Sequence, residues 1–220
     1  MEDVYVSPAI IIDLFNDTKK EVGNNIVTSR DYQKLREGWI AACHVTAYSA
    51  AYQEDIHWLM PNPVAHSMPD FYSFVRKNID NERYKEVVNY EIEVFERRDN
   101  SESLFSAVER KLKSWSAPKT SIVCYCWLPQ ATIHLVRLHR SLIKLNPKVL
   151  EIFVLTDFGG RGQLESVQVY PNSFRMPVPT NLPKSYYEPY QFVSKKRALK
   201  DVDGGVYKIN SEMIISRVAD

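Results

Sequence analysis

Three acidic residues, Asp70, Glu91 and Glu93, have a spacing that could bring their carboxylates together. Asp70 opens the apolar run DFYSFV, and the two glutamates lie in the alternating segment VVNYEIEVF, which ends at Phe95. In a strand Glu91 and Glu93 share one face, because side chains alternate with a period of two. If the strand that follows Asp70 pairs with this one as a hairpin, three carboxylates converge, and such a cluster needs a compensating cation.

The chemistry that such a cluster supports is metal-dependent hydrolysis. Mg²⁺ prefers carboxylate oxygens and keeps water molecules that can act as nucleophiles. A metal held by Asp70 and Glu93 could activate water against a phosphodiester and neutralise charge in the transition state. The alternative is structural: Asp70 is a turn residue after Pro69, and the two glutamates form the wet face of an edge strand.

The composition is that of one globular domain, with or without an appendage. The chain has 220 residues, of which 45% are hydrophobic, and a net charge of +1. This charge argues against a strongly basic nucleic-acid coat protein but not against a nuclease, because acidic metal ligands offset basic contacts to the phosphate backbone. The seven glycines form no phosphate-binding loop, so no nucleotide cofactor is expected.

The cysteines and the N-terminus predict a reducing, cytoplasmic setting. Cys124 and Cys126 alternate along an apolar strand, where a disulfide between them is sterically poor, and no CxxC pattern occurs. The charges of Glu2, Asp3 and Asp13 interrupt the N-terminal apolar residues, so a signal peptide is not expected. No apolar run is long enough to span a bilayer, so no membrane partner is expected.

Hydrophobic periodicity predicts an α/β protein, a central mixed β-sheet flanked by helices on both faces. Helices are predicted at residues 6–22, 30–52, 102–116 and 131–145. Strands are predicted at residues 56–60, 70–75, 87–96, 120–128, 149–156 and 164–170. Gly23 is the expected stop of the first helix and Ser29 the expected cap of the second. The polar residues 76–86 are predicted to form the hairpin loop.

The last sixty residues have a weaker pattern. Residues 164–170 are predicted to form an edge strand, the proline-rich residues 171–190 an irregular loop, and residues 206–218 a strand followed by a short helix. We therefore predict an α/β core with N-terminal helices at residues 1–160. Residues 161–220 are predicted to form a C-terminal extension packed on the same domain.

The segments MPDFYSF, YEIEVFE, VERKLKSW and SIVCYCWL, in this order, resemble the core of the PD-(D/E)xK nuclease superfamily. Within it the chain most resembles archaeal Holliday-junction resolvases and related archaeal viral nucleases, in which a loop rich in Ser, Asn and Pro leads into Pro-Asp, as LMPNPVAHSMPD does here. The resemblance covers about residues 30 to 128 and includes a helix-strand-strand-strand-helix-strand order. It implies a restriction-endonuclease-like core, Mg²⁺ or Mn²⁺ as cofactor, duplex or branched DNA as substrate, and a homodimer.

By this resemblance Asp70 and Glu93 are metal ligands, with Glu91 beside them, but Phe95 stands where the family has its lysine. Three interpretations are open. Glu91-Ile92-Glu93 is an acidic variant of the motif, with Glu93 in the lysine role. Alternatively, Lys111, which borders the apolar stripe of the next helix, supplies the ammonium. In the third interpretation the fold is kept and catalysis is lost.

Further residues have weaker assignments. His66 and Ser67, just before Asp70, and Arg97 and Arg98, after the acidic strand, are candidates for nucleic-acid contacts, although a loop histidine such as His66 is more often only a surface group. Glu37, on the long helix, could be the additional acidic residue that some members of the superfamily place there. The predicted function is a metal-dependent DNA endonuclease. The alternative is a catalytically inactive protein of nuclease fold that acts in DNA binding or assembly.

Overall fold

The described part of the chain is built around a mixed β-sheet. The computed structural model describes residues 4–52, 57–64, 67–79, 82–98, 101–114, 117–127, 134–157, 162–182, 186, 192–194 and 207–218. The helices are α1 (Pro8–Val22), α2 (Asn25–Thr28), α3 (Gln33–Tyr52), α4 (Leu104–Ser114) and α5 (Leu135–Leu145). The strands are β1 (Val4–Val6), β2 (Trp58–Pro61), β3 (Phe71–Ile79), β4 (Glu82–Arg97), β5 (Thr120–Cys126), β6 (Glu151–Thr156), β7 (Glu165–Tyr170), β8 (Phe174–Pro177), β9 (Phe192–Ser194), β10 (Tyr207–Ile209) and β11 (Ile215–Arg217).

Nine of these strands form one sheet in the order β8-β7-β6-β5-β4-β3-β2-β1-β9, and β10 pairs with β11 separately. β4, β5 and β6 are mutually parallel, and the other neighbouring pairs are antiparallel. The chain passes through α4 between β4 and β5, and through α5 between β5 and β6. Helical crossovers are the usual connection between parallel strands, which cannot be joined by a tight turn.

Two hydrophobic clusters cover the two faces of the sheet. On β5, Ile122 and Cys124 belong to the cluster formed with α4 and α5, whereas Val123 and Tyr125 belong to the cluster formed with α1 and α3. All seven residues of β5 are buried, as expected of a central strand covered on both faces. The prediction of an α/β protein with a mixed sheet and helices on both faces is confirmed.

The helix boundaries near the N-terminus follow from local capping. The Ser7 hydroxyl accepts a hydrogen bond from the Ala9 N–H at 3.4 Å, and α1 ends at Gly23, whose φ of 60° suits glycine. The Ser29 hydroxyl accepts from the Asp31 N–H at 3.1 Å and caps a 3-10 turn (Arg30–Tyr32) that leads into α3. The helix predicted from residue 6 begins later, because Val6 pairs with Leu59 as part of β1.

The structure contradicts the predictions for three segments: the hairpin loop, the edge strand and the C-terminal helix. Residues 76–86 do not form a long loop, because β3 continues to Ile79 and β4 begins at Glu82. The two strands pair through backbone hydrogen bonds, which polar side chains do not prevent. Residues 164–170 are not an edge strand, because β8, within the predicted proline-rich loop, pairs with β7. The C-terminal segment ends as a hairpin of β10 and β11, with no helix in its described part.

The C-terminal strands join the same structure as the rest of the chain. β7 pairs with β6, β9 pairs with β1, and Met213, in the turn between β10 and β11, is buried in the cluster that contains α1 and α3. The division of the chain at residue 160 stays a prediction. Within the described residues, no helix has both the length and the apolar character needed to cross a membrane.

Candidate metal and catalytic site

The pairing of β3 with β4 places Asp70 beside Glu93. Phe71 pairs with Ile92 in this antiparallel ladder, so the preceding residue, Asp70, lies opposite Glu93. The Asp70 N–H donates a hydrogen bond to Glu93 Oε2 at 3.2 Å, and the Val94 N–H donates to Asp70 Oδ2 at 3.0 Å. The side chains of Asp70 and Glu93 are 11% and 4% exposed. Two largely buried carboxylates therefore meet where β3 begins.

Lys111 reaches this pair from α4. Its ammonium donates a hydrogen bond to Glu93 Oε1 and forms an ion pair with it. Phe95, two residues after Glu93 on β4, packs against the apolar cluster of α4 and α5 and carries no charge to the site. The lysine that the resemblance predicts at position 95 is absent, and an ammonium reaches Glu93 from the helix instead, which is the arrangement that the second interpretation requires.

A second ion pair, from α3, completes the cluster. The Lys34 ammonium lies 2.9 Å from Asp70 Oδ1 and 2.8 Å from Glu37 Oε2, and Gln33 Nε2 donates to Glu37 Oε1 at 2.8 Å. Sequence reasoning named Glu37 but missed Lys34. The spacing of these two residues indicates one helix face, but nothing in the sequence says that this face meets the start of β3.

Glu91 is not part of this group of contacts. It lies on the same face of β4 as Glu93, but its carboxylate accepts a hydrogen bond from Thr120 Oγ1 at 2.5 Å, on the neighbouring strand β5. The third carboxylate close to Asp70 is Glu37, whose pKa is raised in part by the charge of Asp70. Glu37 is thus linked to Asp70 through Lys34, whereas the assignment of Glu91 as a metal ligand stays a prediction.

Burial and mutual repulsion shape the electrostatics of the site. Burial, and then the charge of Asp70, raise the pKa of Glu93, while the Lys111 ammonium opposes this shift. The pKa of Glu37 is raised by the same two causes in the same order. Burial alone would lower the pKa of Lys34, but its hydrogen bond to Glu37 and the charges of Asp70 and Glu37 raise it to about 12. Two carboxylates are thus held at a cost that an added cation would reduce.

The donor set fits a hard divalent cation bound through few protein ligands. Within the described residues no three His, Cys, Asp or Glu side chains are grouped as a ready-made metal site. Mg²⁺, however, is commonly held by one or two carboxylates, with water and substrate phosphate completing its shell, and Asp70 with Glu93 meets that need. Glu37 Oε2 is buried, and it contacts Lys34 Nζ at 2.8 Å.

The predicted nucleic-acid contacts have different surroundings. His66 lies outside the described residues. Ser67 closes a turn, because its N–H and hydroxyl both donate to Val64 O. Arg97 donates to the Glu102 carbonyl at 2.7 Å, whereas Arg98 pairs with Glu96 and keeps 41% of its side chain exposed. Of the two arginines, Arg98 has the more accessible charge.

The arrangement combines carboxylates, ammonium groups and backbone donors at one end of the β3–β4 pair. Comparisons of the chain with protein-family models, with curated protein sequences and with solved structures found no match. The chemistry of these side chains is therefore the basis on which a function is assigned. The grouping is one that can bind a hard cation and act on a negatively charged substrate.

Proposed function

We propose that the protein is a metal-dependent endonuclease that hydrolyses phosphodiester bonds of duplex or branched DNA on a restriction-endonuclease-like core. The observation that carries the proposal is the contact of Lys111 with Glu93, beside Asp70. The order α3, β2, β3, β4, α4, β5 supports it, because the resemblance implies the same helix-strand-strand-strand-helix-strand sequence. The divalent cation, Mg²⁺ or Mn²⁺, and the DNA substrate are parts of the same proposal.

The reaction is attack of water on the phosphorus, with cleavage of one phosphorus–oxygen ester bond. The products are a phosphate monoester on one strand end and a hydroxyl on the other; the attacking water loses a proton and the leaving oxygen gains one. Asp70 and Glu93 would hold a divalent cation, which supplies charge neutralisation and makes the nearby water more acidic. Lys111 orients the water beside Glu93 and stabilises negative charge that develops on the phosphoryl oxygens.

The second candidate is a protein that binds DNA or supports an assembly without cleaving it. Phe95 favours it, because the position of the family lysine is filled by a side chain that belongs to the apolar cluster. This candidate and the nuclease differ in one measurable respect. Both bind DNA, but only the nuclease produces new strand ends.

A cleavage assay separates these functions. Supercoiled, linear and four-way-junction DNA are incubated with the protein and Mg²⁺ or Mn²⁺, and strand ends are counted on denaturing gels. We expect cleavage by the wild type, and a loss of about a hundredfold or more in Asp70→Ala, Glu93→Ala and Lys111→Met. Lys113→Met is the matched control, because Lys113 is 73% exposed on the same helix.

Two results would contradict the proposal. Cleavage that survives both Asp70→Ala and Glu93→Ala removes the assigned site. DNA binding by a wild type that does not cleave, seen as retarded migration of the same substrates, favours the non-catalytic function.

A homodimer is proposed as well, because enzymes of the superfamily that the chain resembles cut two nearby phosphodiesters. Light scattering of the purified chain measures its oligomeric state directly.

A further inference from the structure

The Lys34 ammonium bridges two carboxylates of the acidic cluster. Its nitrogen bridges Asp70 Oδ1 and Glu37 Oε2 at 2.9 and 2.8 Å, so one positive charge serves two carboxylates from different elements. Neither carboxylate has another charged partner among the contacts of the described residues. This bridge is separate from the ion pair of Lys111 with Glu93.

The two oxygens of Asp70 divide the cluster into two halves. Oδ1 faces Lys34 and, beyond it, Glu37 on α3, whereas Oδ2 accepts the Val94 N–H on β4. The half between Asp70 and Glu37 therefore contains the Lys34 ammonium. In the half between Asp70 and Glu93, two backbone N–H groups donate to the two carboxylates, and the Lys111 ammonium contacts Glu93 Oε1. Two carboxylates flank each half.

Charge balance also distinguishes the two halves. With every group ionised, the three carboxylates of Glu37, Asp70 and Glu93 and the two ammonium groups of Lys34 and Lys111 sum to one negative charge. One divalent cation changes this to one positive charge, which matches a single phosphodiester. Two divalent cations would leave three positive charges in a largely buried site, which is costly in a medium of low dielectric constant.

We propose that Lys34 takes the place of a second divalent cation between Glu37 and Asp70, so that the site accepts one divalent cation per chain, between Asp70 and Glu93. Lys34 is thus a positioning residue that determines metal stoichiometry. This inference rests on the proposed function, because it assumes that Asp70 and Glu93 bind a divalent cation. It assigns to Lys34 a role that the sequence pattern did not indicate.

The test is a titration of the full chain with Mn²⁺, in which free Mn²⁺ is followed by electron paramagnetic resonance. The wild type is expected to bind one Mn²⁺ per chain and Lys34→Met two, because removal of the ammonium frees Glu37 and Asp70. Lys34→Arg, which keeps the charge, and Lys113→Met, on the exposed side of α4, are expected to bind one. Adding Glu37→Gln to Lys34→Met should return the number to one.

The outcomes distinguish this inference from the nuclease itself. Two Mn²⁺ per wild-type chain, or one in a folded Lys34→Met, would overturn the role of Lys34 even if the wild type cleaves DNA. No Mn²⁺ binding together with no cleavage would overturn both proposals. Circular dichroism of each variant without metal shows whether it is folded. Two Mn²⁺ per wild-type chain would overturn the role of Lys34 even if Lys34→Met does not fold.

Discussion

At the scale of single residues, the contact between Glu93 and Lys111 has two roles: it neutralises a buried carboxylate, and it belongs to the proposed catalytic site. Glu93 is 4% exposed and lies beside a second carboxylate, so its ionised form depends on the ammonium that faces it. A buried charge whose partner is removed is strongly destabilising, whereas removal of both charges is much less so. The same pair that would orient water therefore also stabilises the fold.

We predict that Lys111→Met lowers the free energy of unfolding by about 3 kcal/mol in the absence of divalent cations, because it leaves the Glu93 carboxylate without a counter-charge. The double variant Glu93→Gln with Lys111→Met should lose clearly less than the sum of the two single variants. Urea unfolding at neutral pH with a chelator measures all three. In the control Lys113→Met we expect a change of about 0.5 kcal/mol or less, because its pair with Glu109 is exposed. Additive single losses would show that the pair is not coupled.

At the scale of elements, α3 is held on the sheet by polar contacts as well as by apolar packing. His44 Nδ1 lies 2.9 Å from Ser166 Oγ on β7, and the His44 ring packs against Phe153 on β6. His57, before β2, lies 3.3 Å from Ser73 Oγ on β3. Both histidines are buried.

His44 should make the stability depend on pH. Burial, and then the charge of His57, lower the pKa of His44 from 6.5 to about 3. The folded chain thus keeps this ring neutral while the unfolded chain takes up a proton below pH 6.5. The stabilising contribution is complete above pH 6.5 and is lost as the pH falls toward about 3, with a limiting slope of about 1.4 kcal/mol per pH unit.

The variant His44→Gln tests this. Urea unfolding across that pH window should give a smaller loss of stability in the variant than in the wild type. The pKa of Glu151 is raised by burial, so its contribution to the pH dependence of stability has the opposite sign to that of His44. Because Glu151 is present in both proteins, its contribution cancels when the two slopes are compared. His134→Gln, at an exposed position, is the control and should keep the wild-type slope. Equal slopes for His44→Gln and the wild type would contradict the prediction.

At the scale of the whole molecule, the C-terminal hairpin of β10 and β11 packs against the N-terminal helices α1 and α3 through Met213. Met213 has a φ of 60° in the turn of this hairpin and is 3% exposed. The turn is fixed by Asn210 Oδ1, which accepts from the N–H groups of Glu212 and Ile214. A Cβ added at Gly38 on α3 would lie 2.7 Å from Met213 Cε, so glycine leaves the space that this side chain fills.

A double-variant cycle tests this seating. Met213→Ala should lower the free energy of unfolding by about 2–3 kcal/mol, because it removes a buried side chain. Gly38→Ala should be close to neutral in the wild type, since the crowding of Met213 offsets the better helix propensity of alanine. In the Met213→Ala background, Gly38→Ala should raise the free energy of unfolding by about 1 kcal/mol, because the crowding is gone and the helix propensity of alanine remains.

Thermal or urea unfolding of the four proteins measures the cycle. Ile214→Ala, at a neighbouring position that is 54% exposed, is the control for the methionine and should have a small effect. The same effect of Gly38→Ala in both backgrounds would show that Met213 does not occupy the space at Gly38.

The sequence alone determined the fold class and the acidic strand. The alternation in VVNYEIEVF places Glu91 and Glu93 on one face of β4, and the apolar run around Cys124 indicates a central strand. Cys124 and Cys126 are free and buried, as their alternation along an apolar strand suggested. These features could be predicted because they depend on the period of a single element and on local caps such as Ser29.

Only the tertiary structure decided which charged groups meet. Lys111 is 18 residues from Glu93, and Lys34 is 36 residues from Asp70, so both contacts depend on how helices pack on the sheet. Glu91 has the predicted orientation on β4, yet its neighbour is Thr120 on β5. Periodicity determines the face on which a side chain lies, but burial and the pairing of distant strands determine what that face contacts. The sequence offered Lys111 as one of three interpretations and did not indicate Lys34, so the contacts of both lysines with the carboxylates are visible only in the folded chain.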